Sequence, residues 1–290
     1  MYNIEMIKFI VDSGSDISFE ALKKYGIDLL PLIVELDEKE YRPYRDITGE
    51  EFRELLKNTK SFPKTAAVSS YEVANTIRPH IENGDEVIMV MMSKKGSSTF
   101  NYIHLAKKQL EEEFGRELPI SAVDSMNYSL AYLHPVYDAV ELANSGKTRQ
   151  EIVDFLNKAY TKQQLMFMMT DLSYLKRGGR IKTGTAIVGE ILGIVPILHV
   201  NDGLVEPIGK ERGIKRAIES MLQIMKEKCP SKKIKRVQVT QCSREKEAKE
   251  IENLIKTNFE VEEFLPITSP EASITVHAGM DFIGIAYSAD

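Results

Sequence analysis

Short apolar runs alternate with segments of helical periodicity, and this alternation constrains the fold more than any other feature of the sequence. These apolar runs are typical of strands buried on both faces. They read IKFIV, LLPLIVEL, EVIMVMM, PISAVDS and QLMFMMTD. The segments between them carry helix start signals, such as Thr48 three residues before Glu51. Repeated strand, helix, strand order predicts an α/β fold with mostly parallel sheets covered by helices.

The length of the chain predicts two domains. A chain of 290 residues suits two domains better than one. The segment SGKTRQEIVDFLNKAYTKQQ indicates a surface helix that closes the first half, so we expect an N-terminal α/β domain at 1–160 and a C-terminal α/β domain at 161–290. Strand candidates in the second half read GIVPILHV, LVEPIG, IKRVQVTQ, ASITVHAG and FIGIAY. Two such lobes predict a cleft between them, where ligands tend to bind.

Composition excludes several classes of protein. A net charge of -5 argues against non-specific binding of nucleic acid. The two cysteines, Cys229 and Cys242, have neither the number nor the spacing of a disulfide framework or a zinc site. No apolar run approaches the ~20 residues of a membrane span. We therefore expect a soluble cytoplasmic protein with reduced thiols, no metal and no cofactor.

A polar loop follows the third apolar run. This loop, SKKGSST, ends where a helix pattern begins at about Thr99. Open α/β sheets bind ligands at such a position, and the helix N-terminus favours an anion there. Gly96 permits close approach, and Ser97 and Ser98 supply hydroxyls. The loop is neither a Walker loop nor a dinucleotide fingerprint, because its lysines precede the glycine. Taken alone it indicates an N-cap made of serines.

Other polar residues follow predicted strands and are candidates for the same cleft. Thr65 lies in KTAAVSS, on a predicted loop. The segments VDSGSDIS and VDSMNYS each end a strand in Asp-Ser, at Ser13 and Ser125, which is typical of caps and turns. The glycine pair of LSYLKRGGRIKTG predicts a tight turn presenting Arg180, with a solvated basic turn as the simpler interpretation. His277 ends the predicted strand of TVHAG, where a structural role is commoner than a catalytic one.

The order of these segments resembles the DegV family. VDSGSDIS, PKT, S-x-x-G-S-x-T, DS, YLKRGGRI and VHAG followed by IGIAY span about residues 8–287. The LKRGGRI block and the order of the segments are the most specific features. The resemblance implies a two-domain α/β protein that binds a fatty acid between its domains. In the fatty-acid-binding subunits of bacterial fatty acid kinase, a branch of this family, a separate kinase phosphorylates the bound carboxylate to an acyl phosphate.

Position by position, the resemblance assigns the fatty acid carboxylate to Thr65, Ser97 and His277. It assigns Arg180 to work with the kinase. It implies a carrier that is not an enzyme on its own, whose partners are a long-chain fatty acid and a separate ATP-dependent fatty acid kinase. Transient contact with a membrane is compatible with this role, and nucleic acid is not an expected partner. Hydroxyls that could support the site belong to Ser13, Ser98 and Ser125.

The sequence departs from the family pattern around the expected pocket. The departures are TAAV with Ala66 and Ala67, SKKGSST with two lysines, MNYSLAYLH with Ala131 and Leu133, and HAGMD with Asp281. We expect these changes to keep the head-group site and to narrow or redirect the pocket. The segment TAIVGEILGIVPIL is a candidate for the apolar lining or for plain domain core.

Two other functions compete with the carrier. A stand-alone acyl hydrolase would use Ser97 as nucleophile, His277 as base and either Asp124 or Asp281 to orient the base, although the sequence lacks the G-x-S-x-G elbow. A regulatory protein would use the LKRGGRIK turn as a docking patch and bind its ligand only incidentally.

Overall fold

The computed structural model describes residues 6–182 and 193–289. The strands are β1 Ile7–Asp12, β2 Ile27–Leu30, β3 Ile33–Leu36, β4 Lys39–Tyr41, β5 Lys64–Ala66, β6 Glu86–Met91, β7 Ile120–Asp124, β8 Gln163–Met169, β9 Ile194–Asn201, β10 Leu204–Arg212, β11 Lys233–Cys242, β12 Glu260–Phe264 and β13 Phe282–Ser288. The α-helices are α1 Phe19–Tyr25, α2 Gly49–Lys57, α3 Ser70–Glu82, α4 Thr99–Phe114, α5 Ser129–Asn144, α6 Arg149–Tyr160, α7 Ser173–Gly178, α8 Ile214–Lys228, α9 Glu245–Asn258 and α10 Ala272–Ala278. These elements confirm the α/β class.

The first sheet is parallel throughout, with strand order β2-β1-β6-β7. One face packs on α3 and α4, through residues such as Ile10 and Met89. The other face packs on α5 and α6, through residues such as Val11 and Val90. The capping box predicted at Thr48 is present at the start of α2. The continuous apolar character of these strands thus reflects helices on both faces, as predicted.

The second sheet corrects the expectation of mostly parallel pairing. Its strand order is β10-β9-β8-β13-β11-β12, and every pair except β11–β12 is antiparallel. One cause is the tight hairpin between β9 and β10. Asp202 and Gly203 take positive φ values of 47° and 75° there, as a two-residue hairpin turn of this kind requires. One face of this sheet packs on α8 and α9, and the other faces the first sheet and α5.

A small antiparallel sheet, β4-β3-β5, lies beside the first. It corrects the placement of Thr65, which is the middle residue of β5 and pairs with Val34. The predicted strand LLPLIVEL is also divided, because β2 ends before Pro31 and β3 begins after it. β2 is an edge strand of the first sheet, and the chain leaves this sheet at Pro31, which has no N–H to donate to a ladder.

The predicted strand ASITVHAG is a helix, α10, and this also corrects the setting of His277. Its β-branched residues favour a strand by propensity, but Ala272, Thr275 and Val276 are buried at helical spacing. Val276 packs with Val34 and Phe52 of the first half. Tertiary contact therefore overrides local preference here. The expected domain boundary near residue 160 falls between α6 and β8, and it stays a prediction.

Candidate functional site

A cavity of about 340 Å³ lies between the second sheet and the loops that follow β6 and β7. This volume falls within the range of small-molecule sites. The loops contribute Met92 and Tyr128 to the wall, and Leu32 lines it from the segment after β2. Apolar side chains of the sheet that line it are Leu165, Phe167, Met169, Val200, Val205 and Phe282. The cavity therefore favours an apolar ligand.

The three residues to which the family resemblance assigned the carboxylate, Thr65, Ser97 and His277, all line this cavity. Thr65 Oγ1 and His277 Nε2 lie 3.0 Å apart and share a hydrogen bond. Ser97 Oγ donates to Thr99 Oγ1 over 3.0 Å. The N-cap position belongs to Ser98, whose side chain makes no capping bond. Ser97 Oγ itself accepts from the N–H of Thr99 over 3.3 Å, so a serine does bond the start of α4, as the simpler cap interpretation predicts.

His277 is a neutral imidazole at physiological pH. Burial, with a smaller contribution from the charge of Arg180, lowers the pKa of His277 to about 4. Its Nδ1 has no hydrogen-bond partner among the described residues. A β-carbon at Gly178 would come within 2.3 Å of this nitrogen, so only glycine fits beside the ring. The imidazole can therefore donate one hydrogen bond, but it supplies no positive charge.

Positive charge at the cavity comes from Arg180. The predicted turn is the end of α7, where Gly179 takes a left-handed φ of 68°. Arg180 lines the cavity and is half-buried. Its Nε donates to the carbonyl of Gly96 over 2.9 Å, and another guanidinium nitrogen donates to the carbonyl of Gly178. The guanidinium thus connects α7 to the polar loop, instead of extending into solvent as a docking turn would.

The β9–β10 hairpin holds the polar loop from the other side. The carbonyl of Gly203 accepts from Ser93 Oγ over 2.8 Å and from Tyr128 Oη over 2.7 Å. Lys95 forms an ion pair with Asp202 of the same turn. Sequence reasoning missed these contacts, although the Asp-Gly pair after an apolar run was a hairpin signal. They fix the loop that carries Ser97.

The supporting serines differ in their positions. Ser98 lines the cavity and is exposed. Ser13 is buried behind the cavity, where its Oγ accepts from the N–H of Leu32 over 2.9 Å and lies 2.8 Å from Ser273 Oγ. Ser273 itself lines the cavity. Ser125 is also buried, and its hydroxyl bonds within the turn after β7. Ser13 and Ser125 therefore fix backbone segments and do not line the cavity.

Neither proposed orienting carboxylate contacts the imidazole of His277. Asp281 pairs with Arg244, with a contact of 2.7 Å, and also bonds to Thr170. Asp124 accepts from the backbone N–H groups after β6 and β7. His277 bonds to Thr65 and not to Ser97. These side chains thus lack the mutual hydrogen bonds of a Ser-His-Asp triad.

The departures from the family pattern fall in different places. Ala66 and Ala67 line the cavity. Ala131 and Leu133 are buried in the core around α5 and lie outside the lining. Within the candidate apolar segment, residues 185–192 lie outside the described residues, while Val195 and Ile197 pack in the core beneath α8.

Residues 6–182 and 193–289 contain no group of three or more His, Cys, Asp or Glu placed to hold a metal ion. No helix in the same ranges combines the length and apolar character needed to cross a bilayer.

The fold and site together define an α/β protein with an apolar cavity that ends in uncharged hydrogen-bond donors and one arginine. The family model described as "Uncharacterised protein, DegV family" matches residues 6–290. The chain therefore belongs to the DegV family, which confirms the resemblance seen in the sequence.

Relatives of the chain span nearly its whole length. A DegV domain-containing protein of Clostridium acetobutylicum is 30% identical over 281 residues, covering 97% of each chain. The solved structure of a fatty-acid-binding DegV family protein from Thermus thermophilus is 28% identical, with a TM-score of 0.88, and covers 98% of this chain and 100% of that one. A stearic acid-binding protein from Eubacterium ventriosum is 25% identical, with a TM-score of 0.86 and 98% coverage of both chains.

Proposed function

We propose that this protein binds a fatty acid, with its carboxylate at Thr65, Ser97 and His277 and its alkyl chain in the apolar cavity. The observation that carries this proposal is one cavity of about 340 Å³ that combines apolar walls with hydroxyl and imidazole donors. The fatty acids bound by the similar proteins from Thermus thermophilus and Eubacterium ventriosum support it.

The two parts of such a ligand have separate roles. Each buried methylene contributes about 0.8 kcal/mol, so a ~16-carbon chain contributes on the order of 10 kcal/mol before the cost of ordering it. The carboxylate accepts charge-assisted hydrogen bonds, and the Arg180 charge at the same cavity favours its ionised form. The tail therefore supplies most of the affinity, and the head group sets the orientation.

The carboxylate end of the cavity reaches the surface. Lys94 and Ser98, on the polar loop, are both exposed. A separate ATP-dependent fatty acid kinase would reach a carboxylate held at this loop and convert it to an acyl phosphate. In this proposal Arg180 contributes to the transfer through its charge at the head group.

The protein acts as a carrier with no catalysis and no cofactor of its own in this proposal. Two features support that role: Ser97 and His277 share no hydrogen bond of the kind that a Ser-His-Asp triad needs, and the polar loop lacks the glycine spacing of a phosphate-binding loop. We assign it to the cytoplasm, where the free thiols of Cys229 and Cys242 would stay reduced, with transient membrane contact during loading.

Binding can be tested with hexadecanoic acid and its methyl ester, because the ester keeps the chain and removes the charge. We expect the acid to bind at one molecule per chain and the ester at least ~10-fold more weakly. Equal binding of acid and ester would show that the protein does not recognise a carboxylate.

The kinase step needs a separate test. The protein loaded with hexadecanoic acid would be mixed with ATP and the catalytic subunit of a bacterial fatty acid kinase, and acyl phosphate would be trapped with hydroxylamine. We expect product with the unchanged protein and a strong decrease with Arg180→Gln at equal fatty acid occupancy. Absence of product from the loaded, unchanged protein would contradict the carrier role and leave fatty acid binding intact.

A further inference from the structure

The short helix α7 connects the head-group residues to the wall of the cavity. It carries Leu175, which lines the cavity, and it ends at Gly178 beside the imidazole of His277. Arg180 follows two positions later, and one of its guanidinium nitrogens donates back to the carbonyl of Gly178. The position of α7 therefore sets where the guanidinium lies relative to the imidazole.

This position does not come from α7 itself. The helix has six residues, its N-cap Leu172 makes no side-chain capping bond, and its C-cap Gly179 has a left-handed φ. So short a helix has little stability of its own, because the first turn fixes several dihedral angles for few hydrogen bonds. Tertiary contacts must therefore hold α7 in place.

One aromatic ring outside the helix contacts α7 at two positions. The centroid of the Phe62 ring lies 5.1 Å from that of Tyr174, and the two rings meet at 52°. The guanidinium carbon of Arg177 lies 3.8 Å from the centroid of the same Phe62 ring, which is within the range of a cation–π contact. Tyr174 and Arg177 are three positions apart and so share one face of α7. The Phe62 ring thus packs on a single face of the helix.

Phe62 is itself fixed to the carboxylate site. It lies between α2 and β5, and the buried Pro63, whose ring restricts φ, joins it to the strand that carries Thr65. Tyr174 in turn adjoins the end of α10, because a β-carbon at Gly279 would come within 2.7 Å of the Tyr174 ring. The two rings therefore link α7 to both β5 and α10, the elements that share the hydrogen bond at the head-group site.

We infer that Phe62 is a positioning residue for the head group: its ring fixes α7, and α7 places the Arg180 guanidinium against the carboxylate of the ligand. This inference rests on the proposed function. Phe62 is not among the described residues that line the cavity, so it acts through Arg180 and not by contact with the alkyl chain.

Phe62→Leu tests this inference, since leucine keeps an apolar side chain and removes the aromatic face. Hexadecanoic acid and its methyl ester would each displace a fluorescent fatty acid whose own affinity is measured for every variant. We expect the dissociation constant of the acid to rise about 10-fold and that of the ester to stay within about 2-fold, because only the acid carries a charge for Arg180. Unchanged ester binding also shows that the cavity is intact. A purely structural role of Phe62 would weaken both ligands together.

A double variant, Phe62→Leu with Arg180→Gln, separates an indirect effect from an independent one. If Phe62 acts through Arg180, the two losses are not additive, and the double variant should bind the acid no more weakly than Arg180→Gln alone does. Phe62→Tyr keeps the aromatic face and should retain the affinity of the unchanged protein.

Phe264→Leu is the matched control. Phe264 lies on β12, outside the described lining of the cavity, and Lys256 Nζ lies 4.8 Å from the centroid of its ring. This variant removes a comparable contact between a ring and a cation, and it should change neither dissociation constant by more than about 2-fold. An unchanged acid affinity in Phe62→Leu, an equal loss of acid and ester, additive losses in the double variant, or an acid-selective loss in Phe264→Leu would each overturn the inference.

The same titrations separate this inference from the proposed function. If the unchanged protein binds the acid more tightly than the ester and Phe62→Leu does so to the same degree, only the inference fails. If the unchanged protein binds no acid, or binds acid and ester equally, the proposed function fails as well.

Discussion

Thr65→Val perturbs the carboxylate site most selectively. Valine has nearly the shape of threonine and lacks the hydroxyl, so the variant removes the 3.0 Å bond to His277 Nε2. Because Nδ1 of the same ring already lacks a partner within residues 6–182 and 193–289, the imidazole would then be unpaired at both nitrogens there. A buried polar group left without its bond costs about 1–3 kcal/mol. We expect the free energy of unfolding without ligand to fall by roughly this amount, as measured by urea denaturation.

The same substitution should weaken fatty acid binding. Loss of one head-group hydrogen bond should raise the dissociation constant for hexadecanoic acid by about 5- to 100-fold in isothermal titration calorimetry. Binding of the methyl ester should change much less, because its head group carries no charge.

Thr65→Ser is the control, because it keeps the hydroxyl and should retain most of the affinity. If Thr65→Val binds the acid as tightly as the unchanged protein and is also destabilised, then Thr65 only holds His277 in place. The carboxylate would in that case lie elsewhere in the cavity, and the reasoning would be refuted.

Three further predictions concern pH and packing. The pKa of His277 is lowered to about 4 in the folded state, so the free energy of unfolding should fall as the pH drops from about 6.5 to 4. In urea titrations at pH 7 and pH 5, His277→Gln should show a smaller decrease than the unchanged protein, and an equal decrease would contradict this role of His277. Burial raises the pKa of Asp16 to about 8, so Asp16→Asn should become more stable relative to the unchanged protein as the pH rises from 4 to 8. A difference in the free energy of unfolding that stays constant over this range would refute the raised pKa of Asp16. Gly96→Ala should weaken fatty acid binding, because the new β-carbon would lie 2.1 Å from Tyr128 Oη. Adding Tyr128→Phe to this variant should partly restore binding by removing that oxygen, and unchanged binding in Gly96→Ala alone would show that the loop adjusts freely.

Local patterns predicted the parts of the fold that depend on local rules. The apolar runs of β1 and β6 marked a parallel sheet, and the capping box at Thr48 marked the start of α2. The antiparallel second sheet was missed because apolar runs carry no direction. The signal for it was the turn at Asp202 and Gly203, whose positive φ values reverse the chain.

Sequence order could identify the candidate site residues, but it could not place them relative to one another. Thr65 and His277 lie 212 positions apart and meet only because α10 packs on the small sheet of the first half. Arg180 was expected on an exposed turn, yet its guanidinium bonds to the carbonyl of Gly96, 84 positions away.

The central claim is that the cavity holds a fatty acid by its carboxylate. The most direct measurement is native mass spectrometry of the freshly purified protein, followed by denaturing extraction and identification of the released molecule. We predict one long-chain acid per protein chain, and a much lower occupancy in a Thr65→Ala, Ser97→Ala double variant purified in the same way. A co-purified molecule without a carboxylate, or equal occupancy in the double variant, would contradict this account.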